Sequence, residues 1–244
     1  KEFNSAIKTI SPFVLKTELE NYKNNIFLKK ESSQITGSFK WRGVLYSVMI
    51  AFQQLKDMEI NLNNPYYLVT QSTGNHGIAV IYAVQEIKKY YCKKYPKDID
   101  KWKNIHTCVF GNTHITRCKF DKIHKLLETD NKSIFDCTSK NYSEALKRRE
   151  IFLQNHQGKY MEHGGKDIMM GYGSLAEEIM QQVECGKSVT MITAIGAGGP
   201  IGLAAYFSYF KDFQLIVSQT DNFNAFVRSL KTNKLEYNCG SNSP

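Results

Sequence analysis

The sequence predicts an α/β fold built on parallel sheets, and three observations carry that expectation. At 65–84 a short apolar, β-branched run (Tyr66-Tyr67-Leu68-Val69-Thr70) passes through a polar turn into a longer apolar run that ends in Glu86-Ile87-Lys88-Lys89. At 188–207 the order repeats, Val189-Thr190-Met191-Ile192-Thr193 leading through a glycine turn into Leu203-Ala204-Ala205-Tyr206-Phe207. Between them, 141–149 reads as a capped helix. A short apolar run bounded by turn residues is a buried strand, and an apolar segment that runs out into charge is a helix leaving the core. Strands alternating with helices define the α/β class.

The elements follow in order. The turn Ile35-Thr36-Gly37-Ser38-Phe39 delivers Lys40 to the start of a helix over 44–58, which has few breakers. Residues 65–70 form a strand, 71–77 a turn and 78–89 a helix. The lysine-rich 93–103, with Pro96, reads as a surface loop. Asn141 caps the 141–149 helix with Glu144 three residues on, and Ser174 with Glu177 reads as a capping box for a helix through 182. Residues 188–195 form a buried strand, 196–202 a glycine loop and 203–207 a helix.

Bulk properties narrow the function. The 244 residues, 42% of them apolar, are ample for a core of one large or two moderate domains. No run of about 18 apolar residues occurs, so no membrane span is expected. The net charge of +9 clusters at 88–103, 117–125 and 147–149, but Asp98, Asp100, Asp121 and Glu150 are interspersed. Solvated helix faces account for that pattern more simply than a nucleic-acid surface. Cys92, Cys108, Cys118, Cys137, Cys185 and Cys239 contain no Cys-x-x-Cys pair and read as reduced, mostly buried thiols of a cytoplasmic protein. Cys108, His114, Cys118 and His124 match no common zinc spacing.

Three motifs carry chemistry. A lysine in the first turn of a helix faces the positive end of the macrodipole, which lowers its pKa, and burial lowers it further. A neutral Lys40 is a nucleophile suited to a carbonyl. Gln71-Ser72-Thr73-Gly74-Asn75-His76-Gly77 occupies a strand-to-helix turn, where unpaired backbone N–H groups bind a carboxylate or phosphate. Gly196-Ala197-Gly198-Gly199-Pro200-Ile201-Gly202 follows a strand and opens a helix, the usual cradle for a phosphate. It lacks the Gly-Lys-Ser/Thr of a P-loop and the acidic partner of a dinucleotide fingerprint. Taken singly, each has a plainer reading: a lysine extended into water, a helix capped by Ser72 or Thr73, an ordinary glycine turn.

Together and in this order, the motifs resemble the fold-type II pyridoxal-phosphate enzymes, and within them the serine racemase and serine/threonine dehydratase family. Ser38 to Gly43 match its Ser-Phe-Lys-x-Arg-Gly, Ser72 to His76 its Ser-Ser/Ala-Gly-Asn-His with Thr73 as the variant, and Gly196 to Gly199 its glycine tetrad with Ala197 as the variant. Residues 13–16 and 26–31 resemble its opening strands, 109–112 a small-domain strand and turn, and 171–179 its Gly-Gln-Gly-Thr helix start. The resemblance implies two open parallel-sheet domains with flanking helices, tryptophan synthase β-like. A large cofactor domain would comprise 1–62 and 149–244, with a small inserted domain over 63–148. It implies pyridoxal 5'-phosphate held by Lys40, with Phe39 beside the ring, Asn75 on its phenolic oxygen, and Gly196, Ala197, Gly198 and Gly199 on its phosphate. Ser72, Thr73, Gly74, Asn75 and His76 would bind the amino-acid substrate. Lys40 and Thr73 would face opposite sides of the substrate Cα. The implied reaction is β-elimination of L-serine or L-threonine to a 2-oxo acid and ammonia. The alternatives are racemisation, if the Thr73 hydroxyl serves as the far-side acid, and a catalytically impaired relative. A homodimer is implied as well.

Two departures stand out. The chain opens at Lys1 and closes at Pro244 without the family's late Ser-Gly-Gly-Asn-type turn, which reads as a fragment with its C-terminal part missing and part of its sheet uncovered. Gln219 and Ala225 stand where the racemases place metal-binding carboxylates, and Asp221 alone is a poor substitute, so no metal is expected.

Overall fold

A computed structural model describes residues 2–184 and 186–236. Helix α1 (Glu2–Ile10) precedes a hairpin of β1 (Leu19–Lys23) and β2 (Ile26–Lys29), followed by α2 (Lys40–Lys56). A sheet is then assembled from β3 (Tyr66–Gln71), β4 (Ile105–Asn112), β5 (Ile134–Ser139) and β6 (Gly158–Tyr160). Its connections hold α3 (Asn75–Lys94), the short α4 (Ile99–Lys103), α5 (Arg117–Leu127) and α6 (Tyr142–Asn155). Helix α7 (Lys166–Gln182), β7 (Val189–Ala194), α8 (Gly198–Phe207), β8 (Phe213–Ser218) and α9 (Ala225–Thr232) follow.

The main sheet has the order β5-β4-β3-β6, and each neighbouring pair is parallel. All six residues of β3 are buried because both faces are covered. Leu68 joins the core that α2 and α3 build from Val44, Leu45, Val48, Phe52, Val80 and Val84. Tyr67 and Val69 point to the other face and meet Ala145, Phe152 and Leu153 of α6. This period of two explains why β3 reads as a continuous apolar run. Burying each of the larger side chains stabilises the fold by about 1.5–3 kcal/mol. The strand ends at Gln71, so the polar turn that follows is held at the carboxyl edge of a rigid sheet.

Beyond this sheet, α7 seats its neighbours at van der Waals distance. A Cβ on Gly171 would lie 2.5 Å from the Arg42 carbonyl oxygen, and one on Gly202 of α8 would lie 2.5 Å from that of Met169. Strands β7 and β8 are parallel, and Met191, Phe213 and Leu215 pack on Leu175, Leu203 and Phe207.

The structure corrects several expectations. Ser174 does not cap a helix: α7 begins eight residues earlier, at Lys166, and Ser174 Oγ donates to the Gly171 carbonyl within it. The glycines that imitate a helix start are there for close packing. Residues 13–16 lie outside any strand; the first strand is β1, joined to β2 through Asn24 and Asn25, both at positive φ (43° and 65°), as a tight hairpin turn requires. Only the middle of 93–103 is a loop, because Trp102 in α4 is fully buried against Phe52 and Tyr91. Strand β7 is half-buried on one face only, and Ile192 is 70% exposed on the other. Among the four free cysteines described, Cys108 is buried, Cys92 and Cys137 are half-buried and Cys118 is exposed; Cys185 and Cys239 lie outside the described residues. Among the described residues no helix is long and apolar enough to cross a membrane.

Candidate active site

Lys40 is the first residue of α2 and is half-buried. Burial holds its ammonium below the ordinary lysine range, and the helix N-terminus acts in the same direction. Its two flanks are anchored. Trp41 is buried and donates from Nε1 to the Phe13 carbonyl at 3.0 Å. Arg42, 1% exposed, forms a two-pronged pair with Glu31 (2.8 and 2.7 Å) and reaches Glu178 of α7 at 2.9 Å. Lys29 from the hairpin joins Glu178 as well. Breaking such a buried network by removing one partner costs about 3–5 kcal/mol, so it fixes the register of α2 and therefore of Lys40. Ser38 Oγ and Thr36 Oγ1, in the turn before Lys40, are buried without a hydrogen-bond partner among the described residues.

The turn 71–77 is organised by Ser72. Its Oγ accepts from the Gly74 and Gly77 amides (3.2 and 3.1 Å), while Gly74 rather than Ser72 or Thr73 is the N-cap of α3. Asn75 is exposed at the first position of α3, Thr73 is half-buried and His76 is 3% exposed. The His76 ring stacks on His163 with centroids 3.8 Å apart and planes at 21°. His163 Nε2 donates to the Gln71 carbonyl at 2.6 Å. Burial, the His163 ring and the Lys40 charge keep His76 well below the ordinary histidine pKa. Burial also lowers His163, against its hydrogen bond to Gln71 and together with the Lys40 charge. Both rings are therefore neutral at neutral pH, and both lie within the field of Lys40.

The glycine loop closes the third side. Gly199 faces Phe39 so closely that a Cβ would sit 2.6 Å from the ring. The Gly198 amide donates to the His163 carbonyl at 3.2 Å, and a Cβ on Gly198 would meet Gly164 Cα at 2.9 Å. Gly196 is exposed, and Ala197, the N-cap of α8, takes φ 58° and ψ −155°. That conformation is essentially glycine's, and here an alanine holds it.

These contacts join the Lys40 turn, the 71–77 turn, residues 162–165 and the glycine loop. Sequence reading did not single out the 162–165 segment or its His163; a histidine followed directly by Gly164-Gly165 after a strand was the available signal. It gave no site role to Gln71 or Asn112, though both stand in segments it named, and it missed Tyr142; with Ser72, Thr73 and His163 these line a cavity of about 190 Å³. Gln219 Oε1 accepts from the Val227 amide at the start of α9. Among the described residues no three His, Cys, Asp or Glu side chains are placed to share a metal ion.

The profile of the family described as "Pyridoxal-phosphate dependent enzyme" matches residues 10–241. The chain belongs to that family. Pyridoxal-phosphate family members similar in sequence include a biosynthetic L-threonine dehydratase of Lactococcus lactis, 28% identical over 206 residues covering 82% of this chain and 43% of that protein. A serine racemase of Dictyostelium discoideum is 27% identical over 209 residues, 82% of this chain and 54% of its own. The chain thus spans about half the length of these curated relatives. Among solved structures, maize serine racemase superposes with a TM-score of 0.76 at 18% identity, over 99% of this chain and 67% of that one; this likeness shows the α/β fold. The residues present fit the family's cofactor. A half-buried amine of lowered pKa stands beside an aromatic ring, and that ring contacts a glycine cradle at a helix N-terminus, which can take a phosphate.

Proposed function

We propose that the protein is a pyridoxal-phosphate-dependent ammonia-lyase that converts L-serine or L-threonine to a 2-oxo acid and ammonia. One observation carries the reading: the half-buried, pKa-lowered Lys40 at the head of α2 meets both the 71–77 turn and the glycine loop, through His76–His163 and Phe39–Gly199. The kinship with a threonine dehydratase and a serine racemase supports it.

In this reading Gly196, Ala197, Gly198 and Gly199 would hold the cofactor phosphate, Phe39 would pack beside its ring and Asn75 would meet its phenolic oxygen. The bound cofactor supplies an electron sink for the substrate's α-carbon. Lys40, uncharged as an amine, takes the α-proton from one face. Ser72, Thr73, Gly74, Asn75 and His76 receive the substrate. The neutral His76–His163 stack excludes water beside Lys40 without adding a second positive charge. Thr73 lines the cavity and favours a second reading, racemisation, in which its hydroxyl would return a proton from the opposite face. We extend the proposal to the division into a large domain (1–62 and 149–244) and a small one (63–148), to a homodimer and, since the described cysteines are free, to the cytoplasm.

The test is 2-oxo acid and ammonia release by the full chain, compared with Lys40→Ala, with chiral analysis of the remaining serine. The wild type is expected to release both products and take up cofactor in a borohydride-fixable form, and Lys40→Ala to do neither. Equal release by the two proteins ends the proposal, and D-serine without 2-oxo acid moves it to the racemase.

A further inference from the structure

We propose that Tyr142 touches the substrate carboxylate directly in the cavity beside the 71–77 turn, and that Arg149, acting through Gln71, is a positioning residue for it. The inference rests on reading this region as an amino-acid site and adds to it Tyr142 and Arg149, which none of the three motifs contains.

Hydrogen-bond bookkeeping gives the chemistry. Arg149 Nη1 donates to Gln71 Oε1, which fixes the orientation of the amide. Gln71 Nε2 then donates to the Tyr142 hydroxyl oxygen at 2.6 Å. The Tyr142 proton cannot return to that nitrogen and is left to donate elsewhere. Ser72 Oγ already accepts two amides, so its proton is also free for the cavity. Asn112 Oδ1 accepts from the His114 amide at 3.0 Å, which leaves its Nδ2 as a donor. Ser72, Asn112 and Tyr142 therefore offer donors to one cavity, and no acidic side chain lines it.

Positive charge backs these donors. The Arg149 guanidinium lies 4.1 Å from the Tyr160 ring centroid and pairs with Glu150 at 3.1 Å, so it is held behind Gln71. Successive hydrogen bonds polarise one another, so the half-buried Arg149 cation strengthens the Tyr142 donor two links away. Lys119 of α5 stands over the turn, its Nζ 3.2 Å from where a Gly74 Cβ would be. Converging donors with cations behind them suit a group that only accepts and carries negative charge. A substrate ammonium would find no anionic partner among the lining side chains.

The test is titration calorimetry of the full chain with propionate, which has the carboxylate but no amine. Wild type is expected to bind propionate and not propylamine. Tyr142→Phe, a half-exposed position that keeps its ring, is expected to weaken binding about tenfold or more, the loss of one hydrogen bond to a charged acceptor. Arg149→Gln should weaken it several-fold and Arg149→Lys restore most of the loss. The double variant Tyr142→Phe/Arg149→Gln should bind no more weakly than Tyr142→Phe alone, because the arginine acts only through the tyrosine. Unchanged affinity in Tyr142→Phe, fully additive losses, or no propionate binding by wild type overturns the proposal. Propionate binding is expected to survive Lys40→Ala. Tyr142-dependent binding by a protein that releases no 2-oxo acid therefore upholds the subsite and sinks the lyase alone.

Discussion

Replacing Ala197 by glycine is expected to make the protein more stable, the reverse of what this substitution usually does. Ala197 has φ 58° and ψ −155° at the N-cap of α8. A residue with a Cβ held there costs about 1–3 kcal/mol. The conformation is imposed from the Gly198 side: the Gly198 amide is tied to the His163 carbonyl, and Gly198 Cα has the Gly164 backbone against it. Removing the Cβ relieves the cost in the folded state. It also frees the unfolded chain, which loses about 0.4–1 kcal/mol of stability. The difference leaves a net gain of about 1 kcal/mol, a rise of about 2–4 °C in Tm for a chain of this size. Urea and thermal unfolding of Ala197→Gly against wild type measure it. A loss of about 0.4–1 kcal/mol, the ordinary cost of glycine, would show that Ala197 sits in relaxed backbone and would refute the reasoning.

Two further outcomes are expected. Gly171→Ala puts a Cβ 2.5 Å from the Arg42 carbonyl oxygen and 2.8 Å from Gly43 Cα, backbone atoms that cannot rotate away. It should cost about 3 kcal/mol, the upper end for overpacking, and lower cofactor uptake at Lys40, whereas a urea midpoint within about 1 kcal/mol of wild type contradicts the helix contact. Stability should also fall on mild acidification. His76 and His163 have folded pKa values below the ordinary 6.5, so the unfolded chain binds protons first. Their contribution is complete above about pH 6.5 and is lost as pH drops below it toward the folded values, with a slope of up to about 2.7 kcal/mol per pH unit for two rings. Burial raises Asp130, but its hydrogen bonds from His106 and Lys88 outweigh that and hold it below 3.8, so its share is lost only in stronger acid. Flat urea midpoints between pH 7 and 5 would contradict the buried histidine pair.

The sequence made β3, the turn after it and α3 legible because a strand covered on both faces is apolar throughout and its turn is polar. Lys40 at a helix start was legible from the polar turn before it, and the strand–glycine loop–helix at 189–207 from its glycines between two apolar runs, although β7 is covered on one face only. What escaped depends on approach in space. Ser174 and Glu177 have the spacing of a cap, yet they lie inside α7, because Gly171 is there to admit the backbone of α2. Trp102 sits in a lysine-rich stretch whose charge conceals one deep anchor. His163 and Tyr142 have no periodic neighbours to betray them; only the parallel pairing of β6 with β3 brings His163 beside Gln71, and only the cap of α6 at Asn141 presents Tyr142 to the same strand end.

The tight seating of α7 limits how this chain can change length. One residue added near the middle of that helix would turn everything beyond it by about 100°. Gly173, whose absent Cβ makes room for Phe3, would then swing away from its niche while Gly171 stayed in its own. Lineages of this sequence should therefore show gaps and additions around Gly186, which has open space about it, and none within 166–182.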